Sequence, residues 1–478
     1  MNIINKKFEK SESQKNNPIK LILIFFAAFV FTAAISFSVF TVHRSNQFSK
    51  ITQATRLSPQ EQLILSEYIS VAYPENNEIL HSLPYKYSAN KPEVYAESAI
   101  LIDISNGNII YEKNADEVIP PASMTKLFAM YVVDQEVSAG RFSYDDLIPL
   151  PPESWACNMP PHSSLMFLGE GQRVTLEELL LGLSICSGND AAYALAYTIS
   201  GSMEKFIGRM NQVARDYGLT HTHFVEASGY SEKNTTTARE MAAFCRIYLT
   251  EHPESLKKFH AVPAFTYPKK HNLAPGDNFE QQDFTNGYPR HIKMSITQKN
   301  TNPLLGLLDG CDGLKTGYID ESGYNFALTA TRDNTRFLSI TMRGPGNSSR
   351  EGQANRIHDG TELMEFAFSS FRDFYFKPAP QFVKVYGAKE KAINLVPATI
   401  AESISIPAAG LSTESACKNV HINMELPERL EGQIIQGTEY GQIKIFYKEF
   451  LLQTIPLIAD RSVQKSNFLI MAADTFIH

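Results

Sequence analysis

The chain is poor in cysteine and tryptophan: its 478 residues include five cysteines and one tryptophan. Five cysteines cannot all pair, and neither they nor the twelve histidines show the spacing of a metal site. We therefore expect no disulfide framework, no metal and no other cofactor. Positive charge is also scarce, because 44 lysines and arginines face 51 aspartates and glutamates, for a formal net charge of −7. That balance argues against a nucleic-acid-binding protein.

Residues 21–42 form an apolar run without a single charge. As a helix the run is long enough to cross a hydrocarbon core of about 30 Å. Five lysines precede it and only Arg44 and Lys50 follow closely, so the positive-inside rule places the N-terminus in the cytoplasm and the rest outside. A cleaved signal peptide is the alternative, with residues 36–38 as a small-x-small cleavage site. We favour the uncleaved anchor because the run is long.

Three short motifs occur in a fixed order: S-x-x-K from Ser123, S-G-N from Ser187 and K-T-G from Lys315. Each has an ordinary explanation when it stands alone. The first can be a helix cap with a surface lysine, the second a turn and the third a core strand. In this order and together, they indicate a penicillin-recognising serine acyl-transfer site.

The S-x-x-K motif lies at the start of a predicted helix. A β-hairpin pattern around residues 106–107 precedes it, prolines 120–121 end the extended segment, and a nearly continuous apolar run follows Ser123. Residues three apart share a helix face, so the Lys126 amine can reach the serine hydroxyl and act as its base. That role requires a lowered lysine pKa, for which burial and the cation Lys315 are the expected causes.

The S-G-N motif lies on a connection between two predicted helices. Thr175 and Glu178 have the spacing of a capping box at the start of the first helix, and the helical pattern resumes at Asp190. Ser187 can relay a proton to a leaving amine. The Asn189 amide can hold a substrate peptide group by donor and acceptor together.

The K-T-G motif lies on a predicted strand, residues 312–318, which two further strands follow over residues 326–342. A strand that borders a cleft can pair with an extended peptide substrate. Lys315 and Thr316 can then meet the terminal carboxylate of the substrate, and Gly317 allows a close backbone approach.

With these residues the chain resembles the low-molecular-mass penicillin-binding proteins of the D-alanyl-D-alanine carboxypeptidase type. The likeness covers residues 97–371, and a weaker one continues through the last hundred residues or so, which resemble the small β-rich C-terminal domain of that family. It implies an α/β fold with the site between a sheet and a helical lobe. Tyr318 stands where histidine is common in the family. The resemblance implies that Ser123 is the acylated nucleophile, Lys126 its base, Ser187 and Asn189 the second catalytic element, Lys315, Thr316, Gly317, Tyr318 and Arg356 the substrate-binding residues, and the backbone N–H groups of Ser123 and Tyr318 the oxyanion hole.

The sequence predicts five parts. Strands with period-two alternation near residues 382–386, 421–426 and 442–446 indicate an all-β module at the end of the chain. A long segment, residues 269–299, is predicted as a loop near the K-T-G strand. The parts are a cytoplasmic tail (1–20), an anchor or signal segment (21–43), a polar stalk with one amphipathic segment (44–96), a catalytic domain (97–375) and a β-rich domain (376–478).

The expected activity is removal of the terminal D-alanine from peptidoglycan stem peptides, with β-lactams as covalent inhibitors. A D,D-endopeptidase that cuts peptidoglycan cross-links would use the same residues. A β-lactamase fits less well, because no E-x-x-L-N run lies between Asn189 and Lys315. A non-catalytic peptidoglycan-binding scaffold is the alternative from another class, but it would have no need of the intact motifs.

Overall fold

The structure, a computed structural model, describes residues 18–88 and 90–477. The predicted cytoplasmic tail therefore lies almost wholly outside the described residues. The helices are α1 (Pro18–Ser49), α2 (Pro59–Ala72), α3 (Thr125–Ser138), α4 (Leu176–Ile185), α5 (Asn189–Ser200), α6 (Met203–Asp216), α7 (Ala238–Glu251), α8 (Ser349–Ser370), α9 (Thr413–Cys417) and α10 (Phe468–Thr475). The strands are β1 (His81–Ser82), β2 (Ser98–Asp103), β3 (Asn108–Lys113), β4 (Leu147–Ile148), β5 (Val174–Thr175), β6 (Ala264–Tyr267), β7 (Ile296–Lys299), β8 (Cys311–Ile319), β9 (Gly323–Arg332), β10 (Thr335–Gly344), β11 (Phe371–Tyr375), β12 (Gln381–Tyr386), β13 (Ala392–Pro397), β14 (Ser403–Pro407), β15 (Val420–Glu425), β16 (Leu430–Glu431), β17 (Glu439–Tyr447) and β18 (Phe450–Ala459).

Six strands form the central sheet in the order β1-β3-β2-β10-β9-β8. The antiparallel pair of β2 and β3 is the predicted hairpin, and β8, β9 and β10 form the predicted antiparallel meander. The K-T-G motif lies on β8 at one edge of this sheet. An edge strand has backbone N–H and C=O groups on its outer side that an extended peptide can use.

Both faces of the central sheet are covered, which explains why β2 is buried from end to end. Successive strand residues point to opposite faces. Ile100 and Ile102 pack in one core with helices α3 to α7, whereas Ala99 and Leu101 pack in a second core with α8. The sheet therefore lies between two helical layers, and the prediction of an α/β domain is confirmed.

The predicted all-β module forms a second six-stranded sheet in the order β15-β17-β18-β13-β12-β16. The three strands predicted from the period-two pattern correspond to β12, β15 and β17. The sequence analysis did not predict helices α9 and α10. Helix α10 packs against β12 of this sheet, whereas α9 packs against β11 and β14.

A small antiparallel sheet of β11 and β14 connects the two domains. On β11 of this sheet, the buried carboxyl of Asp373 accepts a hydrogen bond from Ser105 Oγ at 2.8 Å. Asp103, also buried, accepts one from Ser405 Oγ at 2.7 Å. Burial, together with the negative charge of Asp103, raises the pKa of Asp373 to about 9. Asp373 therefore keeps its proton at neutral pH.

Helix α1 contains the charge-free apolar run. Its side chains from residue 18 to residue 36 are exposed. Within the described residues it is the one helix that is long and apolar enough to cross a membrane. A membrane anchor and a signal sequence both have this character, as the sequence analysis noted.

Residues 44–96, predicted as a stalk, are packed against the folded domains. The guanidinium of Arg44 is buried and donates to both carboxylate oxygens of Asp474 on α10. Phe48 stacks on Tyr386 of the C-terminal domain, with ring centroids 4.2 Å apart. The amphipathic segment forms α2, which buries Leu65 and Ile69 against Ala398 and Ile458. The polar composition of this segment reflects its exposed face, and its apolar face packs against the C-terminal domain.

Candidate active site

Ser123 lies in a single 3-10 turn, Ala122–Met124, immediately before α3. The turn borders a cleft of about 610 Å³ between the sheet edge and the helical lobe. Gly317 on β8 approaches the turn so closely that a Cβ atom there would lie 2.7 Å from the Pro121 carbonyl oxygen. The small residue of the K-T-G motif is therefore required by packing against the segment that carries the nucleophile.

Ser123 and Lys126 form the contact that the motif spacing predicts. Lys126 Nζ donates to Ser123 Oγ at 3.0 Å and to Asn189 Oδ1 at 2.8 Å. It also donates to the backbone carbonyl of Ser228. Burial lowers the pKa of Lys126 to about 7, while the negative charges of Glu226 and Asp190 act in the opposite direction. Near neutral pH a large fraction of this amine is therefore uncharged and able to accept a proton.

The Lys126 pKa was expected to be lowered by burial and by the cation Lys315. Burial is the largest cause of the lowered Lys126 pKa. The repulsion between the two cations is mutual. Burial, followed by the charges of Lys126 and Arg356, holds the Lys315 pKa well below its ordinary value.

Lys315 joins the second motif to the third. Its Nζ donates to Ser187 Oγ at 3.0 Å and to the Thr316 carbonyl at 3.0 Å. Ser187 and Thr316 are both buried. Three side chains predicted to act together, those of Ser187, Lys315 and Lys126, thus line one continuous polar site.

Asn189 is held by a segment that the sequence analysis did not identify. Its backbone N–H donates to the Ser164 carbonyl at 2.7 Å, and its Nδ2 donates to Ser163 Oγ at 3.1 Å. The neighbouring buried carboxylate of Asp190 accepts hydrogen bonds from three consecutive backbone N–H groups of the same segment, residues 166–168. Phe284, in the predicted loop of residues 269–299, stacks on this segment rather than on the K-T-G strand.

Tyr318, which follows the K-T-G motif, has an exposed side chain on the rim of the cleft. Its hydroxyl donates to Asp320 Oδ1 at 2.7 Å. This hydrogen bond raises the pKa of Tyr318 to about 12, so the phenol is neutral at physiological pH.

Arg356 lies within the first half of α8. Its guanidinium is buried and donates to the Gly317 carbonyl and, at 3.1 Å, to Gln353 Oε1. Burial lowers the pKa of Arg356 to about 10, which leaves it charged at neutral pH. Its Nε has no hydrogen-bond partner among the described residues. The guanidinium of Arg356 therefore places a positive charge next to the backbone of the K-T-G strand.

Two groups near the nucleophile were given no role by the sequence analysis. The Ser228 carbonyl is a backbone group, and Glu226 belongs to a turn that nothing in the residue pattern connects to Lys126. Both lie about a hundred positions from Lys126, and the fold alone brings them to it.

An α/β fold whose sheet edge carries K-T-G beside a paired serine and lysine defines the penicillin-recognising serine peptidases. The family model for D-alanyl-D-alanine carboxypeptidase matches residues 85–346, more than half of the chain, and the model for the penicillin-binding protein 5 C-terminal domain matches residues 378–465. The chain belongs to the D-alanyl-D-alanine carboxypeptidase family of low-molecular-mass penicillin-binding proteins.

Individual relatives extend the likeness over both domains. The chain is 31% identical over 385 residues to the D-alanyl-D-alanine carboxypeptidase DacC of Escherichia coli K12. The aligned region covers 79% of this chain and 86% of the relative. It is 28% identical over 383 residues to DacF of Bacillus subtilis 168, covering 78% and 87%. Among solved structures, penicillin binding protein 5 from Haemophilus influenzae has a TM-score of 0.62 at 25% identity, covering 79% of this chain and 100% of that one. Penicillin binding protein 6B from Escherichia coli has a TM-score of 0.59 at 26% identity, covering 79% and 99%.

Proposed function

We propose that the chain is a serine-type D,D-carboxypeptidase, which removes the terminal D-alanine of peptidoglycan stem peptides through an acyl-enzyme on Ser123. The observation that carries the proposal is the 3.0 Å contact between Ser123 Oγ and Lys126 Nζ, in a cleft bordered by the K-T-G strand. A hydroxyl beside an amine with a pKa of about 7 is the arrangement that nucleophilic catalysis needs near neutral pH. The names of the relatives support the same reaction.

In the acylation step, uncharged Lys126 takes the Ser123 proton as the hydroxyl oxygen attacks the carbonyl carbon of the penultimate D-alanine. The backbone N–H groups of Ser123 and Tyr318 stabilise the resulting oxyanion. The tetrahedral intermediate collapses when the C–N bond to the terminal D-alanine breaks. Ser187 donates a proton to the leaving amine and recovers one from Lys315, which lies 3.0 Å away. Lys126 returns its extra proton to solvent and Lys315 takes one up. Water then attacks the ester carbonyl and gives a proton to Lys126, and Lys126 passes that proton to Ser123 Oγ as the ester C–O bond breaks, which releases the shortened peptide.

The substrate binds at the edge of the central sheet. The extended peptide pairs with the outer side of β8, and Lys315 and Thr316 receive its terminal carboxylate. Arg356 adds a second positive charge behind Gly317. Asn189 binds a peptide group of the substrate by its amide, while its Oδ1 accepts from Lys126.

Two assays on the full chain test this proposal. A labelled penicillin should attach covalently to the protein and fail to attach to Ser123→Ala, since β-lactams acylate the same serine. Release of free D-alanine from stem peptides identifies the carboxypeptidase reaction, and cleavage of cross-linked dimers without such release would identify an endopeptidase instead. A protein that neither binds penicillin nor releases D-alanine would be a scaffold.

The proposal includes an uncleaved anchor over residues 21–43, with the catalytic domain on the extracytoplasmic side. The docking of Arg44 and Phe48 supports it, because the chain leaves the apolar run as one continuous helix that is fixed to the folded domains. N-terminal analysis of the mature protein should find Met1 or Asn2, in a membrane fraction that withstands high salt. A mature N-terminus at Val39 would identify a signal peptide.

A further inference from the structure

A carboxylate that the mechanism above does not use, Glu226, lies in the turn beside the active-site lysine. Its Oε2 accepts hydrogen bonds from Ser228 N at 2.7 Å and from Ser228 Oγ at 2.5 Å. Its Oε1 accepts from Gly229 N at 2.6 Å and from Asn234 Nδ2 at 2.9 Å. With Ser231 N, which donates to Oε1 at 3.4 Å, five donors fix both oxygen atoms of this carboxylate, so residues 226–229 are held as one unit.

This turn touches the nucleophile and its base directly. The Ser228 carbonyl accepts a hydrogen bond from Lys126 Nζ. Gly229 has a φ of +79°, and a Cβ atom there would lie 1.9 Å from the Ala122 carbonyl oxygen and 2.8 Å from Ser123 N. The backbone of the turn is therefore pressed against the peptide that carries Ser123, whose N–H belongs to the proposed oxyanion hole.

The groups that surround the Lys126 amine come from four elements. Ser123 precedes it by three positions, Asn189 and Asp190 belong to α5, Lys315 belongs to β8, and the turn contributes Ser228 and Glu226. The carboxylates among them are Asp190, which is wholly buried, and Glu226, which is half-buried.

We propose that Glu226 is a positioning residue for acyl transfer: its carboxylate holds the turn that aims the Ser228 carbonyl at Lys126, and its charge sets the pH at which Lys126 begins to act as the base. The inference rests on the proposed roles of Ser123 and Lys126. It assigns Glu226 two separable effects, one on the maximal rate through geometry and one on the pH profile through charge.

The test is the pH profile of acylation by a labelled penicillin, measured on the full chain in detergent between pH 5 and pH 9. Glu226→Gln removes the charge that favours protonated Lys126, so the acid limb of the profile should move to lower pH by about one unit. The maximal rate should fall about tenfold, because the amide offers one acceptor where the carboxylate offers two. Glu226→Asp keeps the charge and shortens the reach, so its limb should stay near that of the unaltered protein while its maximal rate falls.

Glu240 provides a matched control. Its carboxylate accepts from His221 N at 2.9 Å and from Thr222 Oγ1 at 2.6 Å, so it holds a neighbouring turn in the way that Glu226 holds its own. Glu240→Gln should lower the melting temperature and leave the acid limb in place. A purely structural role for Glu226 would give the same result in Glu226→Gln.

The outcomes separate this inference from the proposed function. Protein that stays unfolded lowers the amplitude of acylation under excess penicillin and not its rate constant, so a destabilised variant measured well below its melting temperature still reports its pH limb. If Glu226→Gln yields no folded protein, Glu226→Asn provides the neutral side chain for the same measurement. An unmoved or raised acid limb in the neutral variant overturns the inference, whereas failure of the unaltered protein to react with penicillin overturns the proposed function itself.

Discussion

Lys315 Nζ lies 3.0 Å from Ser187 Oγ, although the two residues are 128 positions apart in the chain. Ser187 reaches this position with a φ of 56°, in the left-handed region that residues other than glycine adopt infrequently. Such a conformation persists only where the surroundings enforce it. The contact links the connection between α4 and α5 to the edge strand β8, so a hydrogen bond joins the helical lobe to the sheet at the site.

Replacement of Lys315 by alanine should slow acylation by every substrate, including those without a carboxylate, because Ser187 loses its partner. A hydrogen bond to a charged group contributes about 1.5–3 kcal/mol, so the rate constant should fall roughly ten- to a hundredfold. Ser187→Ala should produce a similar loss, and the double variant should be little slower than either single one. Acylation by a labelled penicillin and by an uncharged ester measures this, and additive losses would show that the two residues act separately.

Gly317→Ala should impair acylation while the protein stays folded. The added Cβ would lie 2.7 Å from the Pro121 carbonyl and 3.1 Å from Ser123 N, which pushes β8 away from the nucleophile and widens the oxyanion hole. Loss of one oxyanion donor costs about a hundredfold or more in rate. The control is Gly208→Ala on α6, where a Cβ meets nothing within 4 Å. Full activity in Gly317→Ala would contradict the close approach of β8.

Arg356→Ala should distinguish peptide acids from their amides. If its charge assists carboxylate binding, kcat/KM for a D-alanyl-D-alanine peptide should fall about ten- to a hundredfold, and the amidated peptide should lose much less. Gln353→Ala, which removes the partner of Arg356 on the same helix, is the control and should affect both substrates little. Equal losses on acid and amide would restrict Arg356 to supporting the Gly317 carbonyl.

Asp373→Asn should flatten the pH dependence of stability. The pKa of Asp373 is raised to about 9 by burial and by Asp103, so the folded protein keeps a proton that the unfolded chain has lost above about pH 4. Stability from this group is present below that pH and is lost as the pH rises towards 9. Melting temperatures at pH 5, 7 and 9 measure the slope, which should be smaller in the variant. Asp309→Asn, at an 88% exposed side chain, should keep the original slope.

The three motifs lie near the ends of helices and strands, and the residue types at those ends indicate where each element begins or stops. The positions of the motifs can therefore be predicted from the sequence. The capping box at Thr175 fixes the start of α4, and prolines 120–121 end the extended segment before Ser123. The alternation of apolar and polar residues similarly predicts the strands of the C-terminal domain.

Local sequence patterns do not predict contacts between segments that are distant in the chain. The turn of Glu226, the segment of Ser163 and the docking of α2 are settled by tertiary packing, which periodicity does not encode. The sequence analysis expected Lys126 to be buried, but that burial is complete only after four separate elements meet around the amine.

The buried pair of Arg44 and Asp474 determines where the chain should be truncated to obtain a water-soluble form. A truncation that begins at residue 50 removes the guanidinium. The Asp474 carboxylate then keeps its hydrogen bond from Gly387 N, at 2.8 Å, and has no cation beside it among the described residues. An unpaired buried charge of this kind costs about 3–5 kcal/mol. An expression boundary placed just before Arg44 keeps the pair, and a shorter fragment should carry Asp474→Asn to recover yield and thermal tolerance.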